Sequence, residues 1–126
     1  MTTQTITALM VAPGMYPCVI ELHKDMEFLS RAVCIGIDAT CPTILLKLTD
    51  TVGILYNNEA HSYAAPCNRT VGTKIIVGVF YVVGIHHNRL VSLSPTDIET
   101  YKARFWDPES FTDDEAIDAW LACLEF

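Results

Sequence analysis

The densest apolar run in the chain spans residues 74–84, K-I-I-V-G-V-F-Y-V-V-G. Its β-branched and aromatic residues fall on both parities, so the run predicts a strand buried on both faces at the centre of a sheet. Gly78 and Gly84 interrupt it, marking a bulge or a close approach to the backbone. Residues 6–11 and 18–22 read as two further strands around the turn Ala12-Pro13-Gly14, and Pro-Gly is a strong turn signal. Residues 43–48 and 52–56 read as a strand pair around Thr49-Asp50, and residues 90–93 as a short strand after the turn His86-His87-Asn88-Arg89.

Helical periods appear in three places. Asp25 caps a short helix over residues 25–33, with Met26, Leu29 and Val33 on one face. Gly36 ends it, and Ile35 and Ile37 begin another extended piece. Ser94-Pro95-Thr96-Asp97 supplies an N-cap, a proline at the first helical position and an acid in the first turn. Ile98, Tyr101 and Phe105 then share a face, and Asp107-Pro108 closes the helix. Thr112-Asp113-Asp114-Glu115 is a capping box opening a helix that runs nearly to Phe126. Its stripe of Ile117, Trp120, Leu121 and Leu124 is expected to pack on the chain's own domain. Residues 58–70 have no clean period and read as a loop with one helical turn. These elements predict one α+β domain over residues 1–126. Its mixed or antiparallel sheet centres on residues 74–84, helices lie mainly on one face, and two of them are C-terminal. The central strand is apolar enough that a homodimer is the expected assembly.

Composition narrows the class. With 126 residues, 51% of them apolar, the chain is long enough for a real core, and its charged fraction of 18% argues against disorder. The net charge of −7 is confined to one end: the first 93 residues hold six acids and six bases, the remainder nine acids against Lys102 and Arg104. No Lys/Arg patch of the kind that grips a phosphate backbone is visible, so direct nucleic-acid binding is not expected. Neither a signal-peptide pattern nor a run long enough to span a membrane is present, which predicts a cytoplasmic protein of a host cell with no membrane partner. The five cysteines form no Cys-x-x-Cys pair and are expected to stay reduced.

Candidate chemistry concentrates in Tyr56-Asn57-Asn58-Glu59 and Asn68-Arg69. An arginine fork with amides suits an anion held at two points, and a glutamate suits a ribose hydroxyl. In that reading Arg69 grips the anion, Asn58, Glu59 and Asn68 fix hydroxyls or base edges, and Tyr56 or Tyr63 stacks on a ring. The structural alternative is a Glu59–Arg69 ion pair with asparagines capping turns. His61, Cys67, His86 and His87 lack the paired spacing of a zinc site. A Cys67 nucleophile with a histidine lacks any surrounding protease or hydrolase signature. No phosphate loop occurs, and no metal, cofactor or catalytic residue is assigned.

The same residues carry a resemblance. Tyr56-Asn57-Asn58-Glu59, Asn68-Arg69, the stretch 78–84, Ser92-Leu93-Ser94, Ile98, Tyr101, Phe105 and Pro108 occur in an order similar to that of the small bacterial, phage and mobile-element proteins grouped as domain of unknown function 3846. The likeness covers residues 6–111. Where that family is expected to place a glycine after the Asn-Glu pair, Ala60-His61 stands here. The resemblance implies an intracellular accessory protein of phage or mobile-element type and carries over no catalytic residue. The expectation is a non-catalytic binding protein that counters host defence, either by sequestering a nucleotide-like small molecule or by occupying a host protein. A small hydrolase using Cys67 or the His86-His87 pair is one alternative. An acidic mimic of nucleic acid that blocks a basic host protein is another.

Overall fold

The computed structural model describes residues 5–23, 43–57 and 66–122. Among these residues, eight strands come first: β1 (Thr5–Val11), β2 (Cys18–His23), β3 (Ile44–Lys47), β4 (Val52–Tyr56), β5 (Cys67–Val71), β6 (Lys74–Val77), β7 (Phe80–His86) and β8 (Arg89–Val91). Two helices follow, α1 (Pro95–Arg104) and α2 (Asp113–Ala122). The fold is therefore α+β, as expected, with antiparallel sheets. The helix expected over residues 25–33, the extended piece near Ile35 and Ile37, and the loop over residues 58–65 lie outside the described residues.

The main sheet has six strands in the order β2-β1-β7-β4-β3, with β8 also on β7. β4 runs along one edge of β7, from Val52 opposite Gly84 to Tyr56 opposite Phe80. The other edge is shared: β1 takes Phe80 to Val82, and β8 takes Gly84 to His86. Two bonds join these end-to-end neighbours, Leu93 N–H to Thr7 O at 3.0 Å and Thr7 N–H to Ser92 Oγ at 2.8 Å. The chain passes so close here that a Cβ on Gly84 would lie 2.7 Å from Ser92 O and 2.8 Å from Val91 O. Tight turns set the register of the β1–β2 and β7–β8 hairpins. Gly14 at φ +72° closes the Pro13-Gly14 turn, and His87 and Asn88 at φ 50° and 60° give β7–β8 the twist that a two-residue hairpin needs.

One expectation needs correcting. The run over residues 74–84 is not a single strand. Gly78, at φ +81°, breaks it, leaving β6 to pair with β5 in a separate two-stranded sheet while β7 forms the centre of the main one. A positive φ is free for glycine and strained for other residues, so the glycine read as a bulge acts as a corner. A second correction concerns residues 67–71, read as loop. They form β5, whose register shifts between Cys67 and Arg69, burying Asn68 and Arg69 in succession and hiding the strand period.

Both faces of β7 are buried. Leu9, Val11, Ile54, Tyr56, Phe80 and Val82 form one layer, closed over by Leu93, Tyr101 and Phe105 and by Val71 and Ile76 of the small sheet. Phe105 meets Phe80 edge-on at 5.2 Å. Ile6, Ala8, Leu22, Leu55, Tyr81 and Val83 form the layer on the other face. α1 starts as expected, Ser94 Oγ accepting from Asp97 N–H at 3.1 Å. The capping box of α2 is also formed: Thr112 Oγ1 accepts from Glu115 N–H at 3.1 Å, and Glu115 Oε1 accepts from Thr112 N–H at 3.0 Å.

The face that α2 turns inward differs from expectation. Ala119 is buried against Val77 beside Cys67 and Ile75, whereas Ile117 and Leu121 are exposed. A residue as small as Ala119 lets the helix approach the small sheet closely. The side chain of Trp120 and residue Leu124 lie outside the described structure.

Candidate functional site

Asn68 and Arg69 meet in the structure, and both are fully buried. A guanidinium has five N–H donors, and a buried one is tolerated only when they are satisfied. Here each has an acceptor. Nε and one Nη2 proton go to Phe105 O at 3.1 and 3.0 Å, and the second Nη2 proton goes to Met15 O at 2.6 Å. Nη1 donates to Asn68 O at 3.3 Å and Asn68 Oδ1 at 2.8 Å. Asn68 in turn donates through Nδ2 to Val11 O at 2.8 Å and Gly78 O at 2.9 Å. The pair therefore ties together the end of β1, the β1–β2 turn, the Gly78 corner and the end of α1. Burial lowers the Arg69 pKa from its ordinary value, while the carboxylates of Glu109 and then Asp107 act to raise it.

The other candidates are more scattered. Tyr56 lies in the core, its ring facing Lys74, whose Nζ sits 4.9 Å from the ring centroid and donates to the phenol oxygen at 2.8 Å. Asn57 is buried beside it in sequence. Asn58, Glu59 and Tyr63 lie outside the described residues. A ligand that used Asn68 or Arg69 would first have to break the internal bonds described above.

What the arginine holds in place went unnoticed in the sequence. The carbonyls it grips belong to Met15 and Phe105, and the residues that follow them are Tyr16 and Trp106. These two rings stack with centroids 4.7 Å apart and planes 28° apart. Both are open to solvent, Tyr16 at 58% and Trp106 at 44%, and Met15 beside them is 58% exposed. Lys102 places its Nζ 6.0 Å from the Trp106 ring centroid. The only sequence signals were an aromatic two residues past a Pro-Gly pair and a tryptophan just past a helix end. Neither discloses a contact across 90 positions of chain.

A cleft of about 280 Å³ lies elsewhere, lined by Pro66, Cys67, Glu109, Phe111, Thr112, Asp113 and Ala116. Glu109 is already engaged there, accepting from Thr70 N–H at 2.9 Å and Thr70 Oγ1 at 2.8 Å. Cys67 pairs with Val77, just before the corner that leads to Phe80, while His86 and His87 lie at the opposite end of β7. That strand is about 20 Å long at roughly 3.3 Å per residue. Among the described residues, no group of three or more His, Cys, Asp or Glu side chains is placed to share a metal ion. Nor is any described helix long and apolar enough to cross a membrane.

The chain belongs to the family described as Domain of unknown function (DUF3846), whose model matches residues 6–106. No curated protein and no solved structure matches it.

Proposed function

We propose that this DUF3846 member is a non-catalytic binding protein that occupies a host protein, its contact being the platform of Met15, Tyr16 and Trp106. The observation that carries this reading is the stacked, solvent-facing pair of rings, with the backbone just before each ring held by three Arg69 bonds, one to Met15 O and two to Phe105 O. Tyrosine, tryptophan and methionine are enriched at protein interfaces, and the first two where the binding energy concentrates. Rings already fixed in place lose little further freedom on docking. The setting proposed with it is a cytoplasmic accessory of phage or mobile-element type that counters host defence. Sequestration of a nucleotide-like molecule is the less supported mode, because the donors of Asn68 and Arg69 are engaged within the protein.

Affinity capture from host cells, with wild type and Trp106→Ala in parallel, tests the proposal. A host protein retained by wild type should bind the variant at least tenfold more weakly, since truncating a central aromatic typically removes about 2 kcal/mol or more. Equal retention by both overturns the platform. Calorimetric binding of a nucleotide that Arg69→Ala abolishes, with the fold intact, would favour sequestration instead.

A further inference from the structure

Among the described side chains of α2, the larger apolar residues face solvent while an alanine faces the domain. Burying isoleucine or leucine removes more apolar area from water than burying alanine, so an isolated fold gains most by turning Ile117 and Leu121 inward. Instead Ala119 is buried, Ala116 is half-buried, and Ile117 and Leu121 are 49% and 54% exposed. Asp114, Ile117, Asp118 and Leu121 follow the i, i+3, i+4, i+7 spacing of one helix face, and all four are exposed. That face is an apolar pair bordered by carboxylates. The residues that make it up stand in a helix with Asp113 and Glu115 in its first turn and no lysine or arginine anywhere along it.

We propose that this outer face of α2 docks into an apolar groove rimmed by lysine and arginine on another protein. The charge pattern selects the occupant. A second copy presenting the same helix would set carboxylates against carboxylates, which repel. A partner recognised by charge alone would have no use for Ile117 and Leu121 at the centre of the face. A basic-rimmed groove satisfies both halves of the pattern, as in the general mode by which amphipathic helices bind in grooves. This inference goes beyond the aromatic platform and does not rest on it, since the two surfaces share no residue.

The experiment uses the full chain, labelled with ¹⁵N, titrated with a synthetic amphipathic peptide of leucines and lysines. An oligolysine of equal charge is the control. The amphipathic peptide should bind at least tenfold more tightly than oligolysine, shift the amides of residues 114–121, and weaken at 0.5 M salt. Ile117→Ser with Leu121→Ser should reduce its affinity at least tenfold while leaving the circular dichroism melt unchanged, because both side chains are exposed. Asp114→Asn with Asp118→Asn should flatten the salt dependence. Trp106→Ala should bind the peptide like wild type, which separates this surface from the platform. Equal affinity for oligolysine, an undiminished affinity in the serine variant, or loss of binding in Trp106→Ala overturns the proposal. So does a peptide-free dimer in sedimentation that the serine variant dissociates, because the occupant would then be a second copy.

Discussion

Replacing Arg69 by methionine keeps most of the buried volume and removes every hydrogen bond the guanidinium makes. Four acceptors lose their donors: Phe105 O, Met15 O, Asn68 O and Asn68 Oδ1. A buried acceptor left without a partner costs about 1–3 kcal/mol, and neighbouring losses do not add fully. Relief from burying a charge returns part of this. The expected loss is about 3–5 kcal/mol, a large share of the roughly 5–15 kcal/mol that holds such a domain together. Lysine is the more telling substitution. It preserves the charge felt by Glu109 and Asp107, yet its ammonium is a point donor and cannot span acceptors on three segments. Arg69→Lys should therefore lose about 2–4 kcal/mol, close to the methionine variant. Urea unfolding followed by circular dichroism measures both, and tryptophan fluorescence should report a looser Trp106 in each. If lysine is as stable as wild type, charge rather than the five-bond geometry is what matters. If methionine stays within about 1 kcal/mol of wild type, the network is not what holds the turn, the corner and the helix end together.

Two further outcomes follow from the packing of β7. Gly84→Ala should destabilise by about 2–4 kcal/mol, because its Cβ meets backbone oxygens at 2.7 and 2.8 Å. Gly53→Ala should cost less, since two of its neighbours, Ile85 Cδ1 and Leu45 Cδ1 at 2.9 Å, are side-chain tips that can turn aside; equal losses in urea unfolding would refute this steric account. Burial first, and Cys18 second, pushes the Tyr81 phenol up to about 12. The unfolded chain thus ionises this group first, near pH 10, and stability falls as pH rises from 10 to 12 by up to about 2–3 kcal/mol. Tyr81→Phe should lose less stability than wild type between pH 9 and 11.5, and identical curves would remove burial as the cause.

The legible parts of the fold were those written in local chemistry. The caps at Ser94 and Thr112, the Pro13-Gly14 turn and the strands on either side of it needed only neighbours in sequence to recognise. The pairing of residues 67–71 stayed hidden because a register shift buries Asn68 and Arg69 together, so a strand looked like a polar loop. The run over residues 74–84 misled in the opposite sense: its hydrophobicity is uniform, and only the backbone angle at Gly78 divides it between two sheets. Asn68 and Arg69, neighbours in the chain, were singled out as part of a candidate ligand cluster, and in the structure their donors are engaged within the protein. Apart from Asn68 Oδ1, their acceptors are backbone carbonyls, which every residue carries and which therefore leave no trace in a sequence. The Tyr16–Trp106 contact and the inverted face of α2 depend on how distant segments pack, and periodicity alone cannot convey that.

The sharing of one edge of β7 by β1 and β8 also orders events in time. β8 follows β7 through a two-residue turn, so that hairpin closes within microseconds of both strands being available. β1 must instead find Phe80 to Val82, about 70 residues downstream, and such distant closures are slow. On a ribosome adding roughly 5–20 residues per second, β1 is made about 4–15 s before the end of β7. Through that interval Ile6, Ala8, Leu9 and Val11, all destined for the core, have β2 as their one pairing partner among the described strands already made, and a lone hairpin is marginal in water. The nascent chain is thus most vulnerable to aggregation, and most dependent on chaperones, through its first strand rather than its most hydrophobic one.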